Sequence, residues 1–250
     1  AGAGRFKCGD LVATRSRHGS HVVSGENACF LVPPGMDPKA ATWFALAKIS
    51  SMGARTAQYT MADSTLIIGA GPIGQMSVRW AHALGLGCIL CLDPQANRLP
   101  FAQKGGAHGV FSEPLETCLN KILAATGGEG PRVVIDSTGN EKVFAPALSA
   151  ARRFGRVVVL GDTGTPSAQH LTSEVMGKGL TIVAAHDGHE DSSWNAGKIV
   201  PYFFNLVTTG RFDLSGLITH EFPSQDAMAA YELENTNRHE TMGILFDWAR

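Results

Sequence analysis

Three glycines at fixed spacing carry the clearest chemical signal in this sequence. The run TLIIG leads into the turn GAGPIG, which sets Gly69, Gly71 and Gly74 between a short apolar run and a helical pattern. In that context Gly69 permits a tight turn, Gly71 has no side chain to block an approaching anion, and Gly74 lets the following helix pack close to the strand. A helix opening at Pro72 and Ile73 presents its first amides at its positive dipole end, which is the chemistry of a diphosphate cradle. With no ligand, the same residues form an ordinary glycine-rich loop. Nineteen residues after Gly74, Asp93 closes the next apolar run, where a carboxylate can accept both hydroxyls of a ribose and repel an extra phosphate on it. The expected cofactor is therefore NAD; the competing role for Asp93 is a turn or N-cap residue ahead of Pro94. Arg98, about one helical turn into the next element, either lays its guanidinium over the adenine face or is a surface arginine.

These residues need a scaffold, and the chain supplies one from Ser64 onward. Short β-branched or aliphatic runs at 65–69, 88–93, 133–137, 156–161 and 181–185 read as five buried strands. The segments 72–85, 95–106, 115–128 and 141–155 have helical spacing and end in glycine. The expected class is α/β, a doubly wound parallel sheet with helices on both faces. Open sheets of this kind hold ligands at the carboxyl edge of their strands. Ser137, Thr138 and Gly139, then Gly161, Asp162 and Thr163, then His186 fall there and are expected to line the nicotinamide half; STGN and GDTG are equally turn-forming sequences. Residues 1–43 read as a β-rich fragment, 44–200 as the nucleotide domain, and 201–250 as a segment returning to the β domain. Pro201 is expected to kink a helix over 197–210 or to mark its first turn.

Composition bounds the partners. With 44% hydrophobic and 17% charged residues and a formal charge of -1, the chain is globular and has no basic field to attract nucleic acid. The most apolar stretch, near 83–92, is broken by Gly85 and Gly87, so no membrane segment is expected. Five cysteines with a single CxxC, Cys88 and Cys91, support neither a disulfide framework nor a four-cysteine zinc lobe; a reducing, cytoplasmic setting is expected. Residues three apart on a strand point to opposite faces, so this pair reads as core thiols. The chain opens on AGAGRFKCGD without Met, and residue 1 is treated as a boundary of processing or expression.

Read in order, FKCGDLV, LVPPGMDPKAA, GAGPIG, LDPQANRLPFAQKGGAH and the closing MGILFDW resemble segments of the medium-chain dehydrogenase/reductase superfamily, in its zinc-type alcohol and polyol dehydrogenase-like branch. The resemblance implies a Rossmann-type nucleotide domain joined to a GroES-like β domain, here partial and formed by the two chain ends. It also implies NAD(P)-linked oxidation of an alcohol or reduction of a carbonyl, and a homo-oligomer. In zinc-bearing relatives, ligands come from a segment preceding FKCGD, which this sequence does not contain. By the same resemblance, a further zinc ligand falls at Phe44, which cannot bind metal, so no metal ligand is assigned.

Without a Lewis acid from these residues, another group must stabilise the alkoxide. Lys48, one turn after Phe44, falls by the resemblance near the nicotinamide, where an ammonium can hydrogen-bond the reacting oxygen; the alternative is a lysine snorkelling to solvent. Ser51, with Ser50, either relays the proton or packs the helix. His186, paired in sequence with His189, offers an acid or base, or is a polar loop residue. Three functions follow as alternatives: an NAD-dependent oxidoreductase on a small-molecule alcohol or carbonyl without catalytic zinc, its opened cleft admitting a bulky substrate or a closing partner subunit; a non-catalytic NADH sensor; or a fragment of a longer zinc enzyme. Exposed strand edges point to self-association.

Overall fold

The computed structural model describes residues 4–249 and divides into two compact units at Lys48/Ile49 and His189/Glu190. The expected 44–200 nucleotide domain brackets the unit formed by residues 49–189.

In the unit made by the two chain ends, β1 (Val12–Thr14) pairs antiparallel with β2 (Cys29–Leu31). The proline cluster then leads into a one-turn helix α1 (Pro38–Ala41), whose N-cap Asp37 accepts from the Lys39 N–H at 3.0 Å. Helix α2 (Phe44–Thr56) carries the chain into the second unit.

That second unit begins with β3 (Ser64–Ile68), the turn at Gly69, and α3 (Pro72–Ala83). It continues through β4 (Cys88–Leu92), α4 (Leu99–Lys104), β5 (Gly109–Phe111), α5 (Leu115–Ala125), β6 (Val133–Asp136), α6 (Glu141–Ala150), β7 (Arg156–Val159), α7 (Glu174–Lys178) and β8 (Thr181–Ala184). The strands form one parallel sheet in the order β5-β4-β3-β6-β7-β8. This is the Rossmann order, in which the sheet reverses direction between its first and fourth strands, here β3 and β6.

The alternation of strand side chains builds two cores. Ile67, Cys91, Ile135 and Val158 pack with residues of α2, α3 and α4 on one face; Leu66, Leu90, Val134 and Val157 pack with α5 and α6 on the other. These four central strands are therefore apolar on both sides, which explains their unbroken hydrophobic runs. Cys91 belongs to the first core and Cys88 packs against the second, as their spacing predicts.

Two expectations need correction. The sheet has six strands rather than five. The extra one, β5, is three half-buried residues at an edge, too short to leave an apolar run. Segment 95–106 is a 3-10 turn, Ala96–Arg98, followed by α4, so Arg98 precedes the α-helix instead of lying one turn inside it.

The chain returns through α8 (Ala196–Thr208), β9 (Ile218–Pro223), α9 (Ala227–Thr236) and β10 (Gly243–Asp247), with β9 and β10 parallel. Pro201 lies beyond the first turn of α8, and its missing N–H removes the intrahelical bond that would reach the carbonyl of Gly197. Phe203 meets Phe212 edge to face at 5.2 Å in the buried interior of this unit.

Candidate functional site

The turn after β3 is built by three different constraints. Gly69 adopts φ +96°, and a Cβ there would stand 2.7 Å from Ser137 Oγ and 2.8 Å from the Thr138 methyl. A Cβ on Gly74 would overlap the carbonyl oxygen of Gly69, so the helix can close on the turn only with glycine at that position. Gly71 differs: at φ −69° its backbone suits any residue, and the nearest atom to a built Cβ is Arg98 Nη1 at 3.7 Å. No packing among the described residues requires glycine there. Gly71 is also the N-cap of α3, where no side chain caps the helix and Pro72 occupies the first turn. The helix start is thus bare main chain beside open space, with the amide dipoles directed into it.

Asp93, 4% exposed, is drawn into this turn. Its Oδ2 accepts the Ala70 N–H at 2.7 Å and its Oδ1 accepts the Gln95 N–H at 2.7 Å. The turn role and a ribose-binding role are compatible, because each carboxylate oxygen keeps a second lone pair. Arg98 Nη1 stands 3.8 Å from Asp93 Oδ2. Gly71, Asp93 and Arg98 are therefore brought together.

On the other side of the sheet reversal, Ser137 Oγ donates to the carbonyls of Ile68 at 2.8 Å and Gly69 at 3.2 Å. Asp136, fully buried at the end of β6, accepts from both the Thr138 N–H (2.8 Å) and its hydroxyl (2.6 Å) through Oδ1. Burial pushes this carboxyl above its ordinary value. Gly139 and Gly161 interlock: a Cβ on Gly139 would overlap the Asp162 carbonyl, and one on Gly161 would overlap the Gly139 nitrogen. Asp162 is exposed and Thr163 half-buried in the loop that follows. The turns after β3, β6 and β7 form one continuous rim.

The residues expected to do the chemistry have their own partners. Lys48 is buried, and its Nζ lies 2.6 Å from Glu190 Oε1, a pairing that the spacing did not announce. Ser50 and Ser51 are buried on α2. His186 is exposed; its Nδ1 accepts the Gly188 N–H at 3.0 Å, and its ring stands 5.7 Å from that of His189. Cys91 is fully buried, and desolvation pushes its thiol up to about 12, which suits a core residue and not a reactive one.

The fold is matched by comparison with known proteins. Residues 72–197 fit the family described as zinc-binding dehydrogenase. The chain belongs to this family, within the zinc-type medium-chain dehydrogenase/reductases. L-threonine 3-dehydrogenase of Bacillus subtilis (strain 168) is 32% identical over 170 residues, 68% of this chain and 47% of that protein. The solved alcohol dehydrogenase TADH from Thermus sp. ATN1 superposes with a TM-score of 0.73 at 27% identity, covering 86% of this chain and 60% of that one. A structure from E. coli CFT073 described as a short chain alcohol dehydrogenase complexed with NADH shares the fold, with a TM-score of 0.74 at 23% identity over 87% and 62% of the two chains. The chain spans about half the length of the curated relatives it matches.

The family implies zinc, and the described residues of this zinc-binding dehydrogenase family member do not fit it. Phe44 is buried, with its ring 5.8 Å from that of Phe30. Among the described residues no cluster of three or more His, Cys, Asp or Glu could hold a metal ion. Among them, too, no helix is long and apolar enough to cross a membrane.

Proposed function

We propose that this chain is an NAD(H)-dependent oxidoreductase, moving a hydride between nicotinamide and an alcohol, polyol or related carbonyl compound without zinc from these residues. The observation that carries the reading is Gly71, a glycine whose missing side chain leaves space that no atom of the described residues fills, at the uncapped start of a helix. Gly69, Gly71, Pro72, Ile73 and Gly74 would cradle the diphosphate, Asp93 the ribose and Arg98 the adenine face. Ser137, Thr138, Gly161, Asp162 and Thr163 would line the nicotinamide half. When bound, the nicotinamide ring supplies the carbon that accepts or gives the hydride.

The chain's own contribution is orientation, exclusion of water and a donor to the substrate oxygen. Lys48 is proposed as that donor. Its ion pair with Glu190 fixes the direction of the ammonium, which suits stabilising a developing oxyanion. Ser51 and His186 are proposed for moving the proton. The names of the relatives, a threonine dehydrogenase and an alcohol dehydrogenase, support an alcohol-type substrate. Self-association in a cytoplasmic setting completes the reading.

Calorimetric titration with NADH followed by hydride transfer across an alcohol and carbonyl panel tests it. No NADH binding at saturating concentration refutes it. A second reading, NADH binding without turnover, is favoured by the buried Phe44–Phe30 packing at the position the resemblance gives to a metal ligand. Tight NADH binding with no transfer across the panel selects that reading.

A further inference from the structure

Helix α3 buries two long polar side chains, besides the small Ser77, where packing against a sheet favours apolar ones. Gln75 is 0% and Arg79 1% exposed, one turn apart. Gln75 Nε2 donates to the carbonyl of Ala70 at 2.9 Å and to that of Arg98 at 3.1 Å. Arg79 Nη1 donates to Gln75 Oε1 at 2.9 Å and to the Gln75 carbonyl at 3.0 Å, while Nη2 donates to the Phe101 carbonyl at 3.2 Å.

The chemistry of the two groups fixes this arrangement. A guanidinium has only donors, so the amide oxygen of Gln75 must face it. Both amide hydrogens are then directed at the two carbonyls, and the amide cannot flip without setting donor against donor. Arg79 in turn fills the space beside Gly105, where a Cβ would lie 2.6 Å from Nη1.

The bonds close a circuit. The Ala70 N–H is held by Asp93 Oδ2, and the Ala70 carbonyl is held by Gln75. The same Gln75 holds the carbonyl of Arg98, whose guanidinium stands beside Asp93. The diphosphate turn after β3 and the 93–98 segment after β4 are thereby tied at both ends of the 93–98 segment.

We propose that Gln75, oriented by Arg79, is a positioning residue that couples the diphosphate turn to the Asp93–Arg98 segment, so that the diphosphate and adenosine parts of a dinucleotide are gripped together. The proposal rests on the dinucleotide reading of that turn. It makes the contribution of Arg98 to binding depend on a side chain that touches no ligand atom.

The test is a double-mutant cycle on NADH affinity, measured by calorimetry on the whole chain with Gln75→Glu and Arg98→Met. Gln75→Glu is nearly isosteric and still accepts from Arg79, but it cannot donate to both carbonyls. Arg98→Met should weaken NADH binding about tenfold in the parent and less than about threefold when Gln75→Glu is present. A merely structural role would lower the unfolding temperature and leave the cycle additive. Additive effects in folded variants overturn the coupling. Should Gln75→Glu not fold, the cycle is run on Gln75→Met with Arg79→Met, which replaces the buried polar pair by apolar groups of similar length. Additivity there overturns it equally. A parent that does not bind NADH overturns the cofactor reading and the coupling with it, whereas a binding parent with an additive cycle overturns the coupling alone.

Discussion

Gly71→Ala and Gly74→Ala differ by three positions in one turn, and the structure assigns them opposite consequences. At Gly71 the added methyl meets nothing closer than Arg98 Nη1 at 3.7 Å, and φ −69° suits alanine. Restricting the unfolded chain gains about 0.4 to 1 kcal/mol, while replacing glycine at an N-cap loses a comparable amount. The unliganded protein should therefore unfold within about 3 °C of the parent. On the dinucleotide reading, its NADH affinity should fall. A methyl where a diphosphate oxygen must approach the main chain displaces charge-assisted bonds worth about 2 kcal/mol or more, roughly thirtyfold in Kd. At Gly74 the methyl overlaps the Gly69 carbonyl, which belongs to backbone and cannot swing aside. That variant should lose about 3 kcal/mol or more even without ligand, lowering the unfolding temperature by roughly 6 °C or more. Thermal unfolding with and without NADH, beside calorimetric titration, separates the two. A Gly71→Ala protein that binds NADH as tightly as the parent would refute the argument that bare main chain at this position serves a ligand.

Other perturbations follow from the same geometry. Asp93→Ser should bring NADH and NADPH affinities together, by about tenfold or more, and should also destabilise the unliganded chain because the Ala70 N–H loses its carboxylate; unchanged cofactor preference removes Asp93 from the ribose site. Lys48→Met should slow hydride transfer with NADH affinity unaltered, and a variant with full transfer rate returns Lys48 to a packing role. Asp136 is held above its ordinary value near 3.8 by burial, so the folded chain binds this proton more strongly than the unfolded one. Its contribution to stability is fully present below the unfolded value and is lost as pH rises through the folded one. Asp136→Asn should therefore reduce the fall in denaturant stability between pH 4 and 7, and an identical pH slope in both proteins would contradict this. In thiol labelling at pH 8, exposed Cys8 should react in the native state and Cys91 only after unfolding, as read by mass spectrometry.

What the sequence made legible tracks how local each constraint is. The runs around Leu66, Leu90 and Val134 are apolar on both faces, so a buried parallel sheet was readable from single strands, and glycine punctuation placed the turns. The missed strand, β5, owes its existence to pairing with β4 and not to any run of its own. Gln75 and Arg79 were hidden for a similar reason. At i and i+4 on a helix they look like ordinary solvated residues, and only the fold shows that this face is buried. The one sequence signal was that the stripe they form also carries Val78, three residues after Gln75, an apolar residue that the helical period can place in the core.

Glu190 shows the limit of spacing arguments at a candidate catalytic group. Lys48 and Glu190 are far apart in the chain, yet each is the residue at which the end-formed unit meets the other, and their ion pair joins the two points within that unit. If Lys48 acts on a substrate oxygen, it does so either as a positive charge that Glu190 orients or as an acid that gives up its proton. Glu190→Gln tests the orienting role: transfer should slow if Glu190 directs the ammonium at the substrate oxygen, and an unchanged rate would refute that role. A pH–rate profile of that variant beside Lys48→Arg, which keeps the charge but cannot deprotonate, decides between them, and full activity in Lys48→Arg would exclude proton donation from this nitrogen.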